Sequence, residues 1–169
     1  MLKEFSPLSP TEQQLMFDAI PLITILVGGA DGDLDKVELA DAQKLADIRS
    51  YDNNGRLQAY YESIERDLAG RIQQLSEELP TAVEPRQREI GERLAKLNDV
   101  FPKMEEPFGY LYYQSLHSFS RHVAEAHGGF LRFMTIGPRE AKVVNLPMIR
   151  PMAKPDEKDY PDLPSVVLS

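Results

Sequence analysis

The chain has 169 residues, a formal charge of -8 and a sequence pI near 4.9, which suits one domain with a well-formed core. That acidity argues against a nucleic-acid partner, because phosphate binding requires a basic surface. Cysteine is absent, which removes disulfides, thiolate metal sites and thiol catalysis.

Membrane insertion is not expected either. The longest apolar stretch, residues 19–30, is interrupted by Pro21 and Thr24 and falls short of the ~20 residues that cross a bilayer. The N-terminus carries Glu4 and two early prolines in place of a basic region, so no signal peptide is expected, and the sequence reads as a soluble cytoplasmic protein.

Ser9-Pro10-Thr11-Glu12 predicts a first helix, with Ser9 as cap, Pro10 at the first helical position and Glu12 completing a capping box. Leu15, Phe17, Ile20, Ile23, Leu26 and Val27 return at helical spacing, Pro21 should kink the helix, and Gly28-Gly29 should end it. A second helix is expected after Asp35 to about Ile48, stopped by the turn-forming cluster Tyr51-Asp52-Asn53-Asn54-Gly55. A long helix should follow over 56–79, then a turn at 80–85, then a helix carrying Ile90, Leu94, Leu97, Phe101 and Met104. Two such stripes joined by a short link should bury against each other as an antiparallel hairpin. Pro107 opens a further helix, whose stripe runs through Phe108, Tyr112, Ser115, Phe119, Val123 and Ala126 before Gly128-Gly129 should end it. Residues 130–136 read as a loop or brief extended piece, and Gly137-Pro138-Arg139-Glu140 restarts a helix reaching about Asn145. Beyond it Pro147, Pro151, Pro155, Pro161 and Pro164 forbid helix or central strand, leaving a tail over 150–169.

Chemistry concentrates in Gly28-Gly29-Ala30-Asp31-Gly32-Asp33-Leu34-Asp35-Lys36-Val37-Glu38. Carboxylates at every second residue of an irregular loop can converge on one point, the oxygen cage that Ca2+ and Mg2+ require. Asp31 and Asp33 are the preferred ligands; Asp35 is divided between coordination and capping, with Glu38 completing a capping box or acting through water. An EF-hand is not the geometry. Its sixth position would be Lys36 where glycine is needed, and its twelfth Ala42 where a bidentate Glu is needed. Lys36 is the rival to a metal as the loop's counter-charge.

A weaker echo comes later: Ala126-His127-Gly128 parallels Ala30-Asp31-Gly32, each followed by a loop and a Glu, Glu38 and Glu140 respectively. A duplicated helix-loop-helix would bring the two loops near a shared pseudo-twofold axis. An Ala-Asp-Gly loop with further acids and a glutamate entering the next helix, in an all-helical chain with a degenerate second copy, resembles the TerB-like family associated with tellurite resistance. The resemblance covers roughly 15–48 and 121–149, and GGADGDLDKVE is its specific part. It implies two related helical halves, metal binding by the acidic loops, and a non-enzymatic part in stress response or signalling, at a membrane-associated complex. Asp31, Asp33, Asp35 and Glu38 match the first motif, and Glu140 with the glycine matches the second. His127 stands where the family usually has Asp, and residues 130–136 are an insertion. The hairpin over 56–104 is larger than the usual core between the halves, which marks a divergent branch.

His117, His122 and His127 recur every five residues, which rotates each off the face of the last and makes no metal pair at i and i+4. No GxSxG, P-loop, dinucleotide fingerprint or HExxH occurs. The expectation is therefore an all-α bundle of about six or seven helices over 1–149 with no catalytic residues. It holds a divalent cation (Ca2+, Mg2+ or Mn2+) on Asp31, Asp33, Asp35 and Glu38, with His127 and Glu140 as second-copy ligands. The alternative is a metal-free helical scaffold that docks a protein partner.

Overall fold

The computed structural model describes residues 2–29, 39–40, 42–44, 46, 55–132, 143–161 and 163, the side chains of 126–132 excepted. The protein is an all-α bundle, with no strand among the described residues. Six helices have defined bounds: α1 (Pro10–Ile23), α2 (Gly55–Glu65), α3 (Leu68–Glu78), α4 (Val83–Ala95), α5 (Leu97–Val100) and α6 (Glu106–Arg132). Residues 39–40, 42–44 and 46 are also helical, within the second helix the sequence predicts.

The start of α1 is fixed by the reciprocal box at Ser9 and Glu12: the Glu12 amide donates to Ser9 Oγ at 3.3 Å and the Ser9 amide to Glu12 Oε2 at 2.9 Å. Lys103 closes on the same carboxylate. The Lys103 ammonium foremost, then the Ser9 amide, hold the Glu12 carboxyl down at about 2. A depressed carboxyl favours the folded state above its unfolded value of 4.5, and this contribution fades as pH falls from there toward 2. In an NMR titration of the side-chain carboxyl, Glu12 is expected to titrate near 2 in the wild type and to move toward 4.5 in Lys103→Met.

The second half of α1 is unlike an ordinary amphipathic helix. Every residue from 18 to 29 is buried, so this segment runs through the middle of the bundle and is covered on all sides. Pro21 sits inside it without an N–H to give, and the Thr24 hydroxyl bonds back to the Ile20 carbonyl at 2.9 Å. The chain answers by widening: Thr24–Gly28 winds as a π turn before Gly29 leaves the helix.

All five other helices touch α1. This corrects the expected hairpin packing. The arms are joined by a short turn, but the stripes of α2–α3 and of α4–α5 lie chiefly on α1, with Glu78 and Arg93 at 3.8 Å spanning the surface between them. The expected continuous helix over 56–79 is also interrupted, at Arg66 and Asp67. Asp67 adopts φ -148°, ψ 31°, and its carboxylate folds over Gly70, whose added Cβ would lie 2.3 Å from Oδ1. The Ile90 stripe likewise breaks at Lys96 and ends in the 3-10 turn Phe101–Lys103.

A second correction concerns the paired glycines. Gly28-Gly29 ends its helix, whereas α6 continues through Gly128-Gly129 to Arg132, so residues 130–132 are helical and not loop or extended chain. Two helical glycines cost about 0.5–1 kcal/mol each relative to alanine, small beside the burial that a helix of 27 residues contributes along its length.

After α6 the described chain resumes at Val143. Ser120 Oγ donates to the Val144 carbonyl at 2.6 Å, and Leu146 follows in the left-handed region at φ 46° with its side chain fully buried. Such a conformation in a bulky residue just before proline costs about 1–3 kcal/mol, close to what burial of a leucine side chain contributes. Residues 147–155 then run without regular structure over α4, α5 and the start of α6, burying Ile149 and Pro155, and the chain turns at 157–159 to bury Leu163.

Candidate functional site

Asp31, Asp33, Asp35, Glu38 and Glu140 lie outside the described residues, as do Lys36 and the side chain of His127, whose backbone belongs to α6. Among the described residues no group of three or more His, Asp or Glu side chains is arranged to hold a metal ion. The structure does describe the root from which the acidic stretch departs.

That root is the buried end of α1. A helix C-terminus leaves carbonyls without helical donors and carries the negative pole of the helix dipole. One of these carbonyls, that of Gly29, accepts 2.9 Å from Nη2 of Arg86, while Nη1 of the same guanidinium donates to Thr81 at 3.0 Å. Arg86 is only 8 % exposed, an uncommon degree of burial for arginine. Its fork ties the chain two residues before Asp31 to the turn between α3 and α4.

Farther back along α1, Asp18 is held by both arms of Arg71 at 2.6 and 2.7 Å and by Gln14 Nε2 at 2.9 Å. The Arg71 guanidinium is pushed up, first by the bond to Asp18. This pair edges a groove of about 420 Å³ between α1 and α4–α5, with Leu15, Leu22 and Val100 as apolar walls and Arg93, Lys96 and Asp99 at its rim. A carboxylate satisfied by a bidentate guanidinium and an amide serves there as a fixed anchor, joining α1 to α3.

On the opposite register three tyrosines are almost wholly enclosed. Tyr60 and Tyr112 both donate to the Met16 carbonyl, at 2.9 and 2.8 Å, and Tyr61 bonds Ser115. The Tyr60 ring meets those of Tyr61 and Tyr112 edge-on at 5.1 Å. Burial pushes both the Tyr60 and Tyr112 phenols well up from 10.0, which fits them to donate and not to ionise.

The histidines have separate surroundings. His117 packs edge-on against Tyr113 at 4.7 Å with Nε2 buried and without a hydrogen-bond partner among the described residues, and burial, then Arg121, push its imidazole below 6.5. His122 Nδ1 bonds the Ser118 carbonyl at 2.7 Å.

Arg86 and the Asp18–Arg71 pair are not foreseen by the sequence reading. Asp18 had a visible signal, a carboxylate between Phe17 and Ala19 on an otherwise apolar run, which implies a buried partner. Arg86, beside Pro85 in a charged turn, is indistinguishable there from a solvated residue. No family model, curated protein or solved structure matches the chain.

Proposed function

We propose that the protein is a non-enzymatic, divalent-cation-binding helical module of the TerB-like type, acting in stress response or signalling. The observation supporting this reading is the position of the α1 terminus. A helix whose second half is buried presents its negative pole at Gly28-Gly29, and the chain then carries Asp31, Asp33 and Asp35 within the next six residues. Anionic groups added to a negative dipole end repel one another, and a cation among them relieves that repulsion.

The donor set fits a hard ion. Asp31, Asp33, Asp35 and Glu38 offer carboxylate oxygens suited to Ca2+, Mg2+ or Mn2+, with His127 and Glu140 as ligands of a second copy. Arg86 favours a second reading, the metal-free scaffold for a protein partner: a buried guanidinium on the Gly29 carbonyl already stands at the negative end.

Calorimetry on chelator-treated protein separates the two. Ca2+, Mg2+ or Mn2+ is expected to give a saturable heat whose affinity falls at least ~100-fold in Asp31→Ala plus Asp33→Ala, given how steeply such sites depend on ligand charge. A silent titration, or one the double substitution leaves unchanged, favours the scaffold.

A further inference from the structure

We propose that the groove between α1 and α4–α5 is a binding site for a small apolar zwitterion of the α-amino-acid class, gripped at the rim by Lys96 and Asp99 and seated on the apolar wall of Leu15, Leu22 and Val100. The proposal stands whether or not the acidic loop binds a cation.

Size and lining carry the first argument. At about 420 Å³ the groove falls in the range of roughly 300 to 1,000 Å³ typical of small-molecule sites. Leu22 and Val100 are buried and form its deep wall, while Leu15 is only partly covered and continues that wall outward. An apolar side chain laid there removes the exposed part of Leu15 from water.

The second argument is the division of charge around the groove. Glu12 is taken by Lys103, Asp18 by both arms of Arg71 and by Gln14, and Arg93 by Glu89. Groups satisfied within the chain in this way hold the walls in place and leave little for a ligand to gain. Lys96 and Asp99 differ. Both are exposed at the rim, three residues apart and so on neighbouring turns, and among the described residues neither side chain has a hydrogen-bond or ion-pair partner.

One positive and one negative group side by side above an apolar wall complement a molecule with the same three parts. The ligand carboxylate meets the Lys96 ammonium, and the ligand ammonium meets Asp99. A simple anion would find Asp99 a repulsive neighbour, and a simple amine would find Lys96 one, so the pair selects for the zwitterion.

The test is a titration of L-phenylalanine into the ¹⁵N-labelled full chain, followed by amide shifts in NMR. Saturable shifts are expected at Leu15, Lys96 and Val100, with half-saturation at about 1 mM or below for so small a ligand. Hexanoate and hexylamine, which carry one charge each, should bind at least ~5-fold more weakly, and so should phenylalanine to Lys96→Met or Asp99→Asn, since each change removes one charged contact. Both substitutions fall at exposed positions and leave the core intact, and unchanged shifts at Tyr60 and Tyr112 check that the fold is kept. No saturable shift by about 10 mM, shifts confined to another face, or hexanoate bound as tightly as phenylalanine overturns the proposal. Equal affinity in the wild type and both variants overturns it as well.

Discussion

Replacing Tyr112 with alanine is expected to destabilise the fold by about 3 to 5 kcal/mol, read from urea unfolding followed by circular dichroism. The ring is fully buried between Tyr60, Phe101 and Phe108, and its hydroxyl reaches across the core to the Met16 carbonyl of α1. Removal therefore leaves a cavity and takes a hydrogen bond from the central helix. Tyr112→Phe separates the two losses, since it keeps the ring and should cost only about 1 kcal/mol. The phenols also set an alkaline limit. Their folded values lie above 10.0, so ionisation favours the unfolded chain, and stability should decline as pH rises past about 10. Phenolate absorbance from Tyr60 and Tyr112 should appear only together with unfolding.

Arg86→Met is expected to cost about 3 kcal/mol in the same measurement, because the buried Gly29 carbonyl loses its charged donor. Methionine preserves much of the volume, so the effect reports on the bonds more than on packing. Arg86→Lys should recover only part of the loss: an ammonium reaches one carbonyl as a point charge, whereas the guanidinium fork spans Gly29 and Thr81 together. A loss below about 1 kcal/mol for Arg86→Met would show that the latch between the α1 terminus and the α3–α4 turn is dispensable.

Local signals in the chain translate directly into structure. The Ser9–Glu12 box closes both of its bonds, the stripes of α2 to α6 supply the core, and the turn expected at 80–85 falls between α3 and the body of α4. What spacing alone does not settle is which surface each stripe meets. Leu68, Ile72 and Leu75 have the same periodicity whether they face Ile90 and Leu94 or α1, and the choice of α1 depends on a helix whose second half is buried all round, which periodicity reads as amphipathic. Helix ends fail where propensity and tertiary packing disagree. Asp67 sits mid-stripe yet interrupts the helix, its signal being an acid three residues before Gly70. Gly128-Gly129 carries every mark of a stop, yet Phe130 falls four residues after Ala126 and extends the spacing that begins at Phe108. As for the candidate site, its acids are plain in the sequence, but the arginine at its root is supplied from the first turn of α4, more than 50 residues later, and is visible only in the fold.

The central course of α1 governs the order in which the molecule can be made. The helix is synthesised ahead of those that cover it, and one side of its cover is α6, whose first residue follows about 100 positions behind it. At roughly 5 to 20 residues per second, the nascent protein carries an incompletely sheltered greasy rod for on the order of 5 to 20 seconds before the last wall is synthesised. Stalled translation between the α4–α5 region and α6 would prolong that interval, and the truncated chains it releases should be clients of chaperones rather than smaller folded versions of the protein.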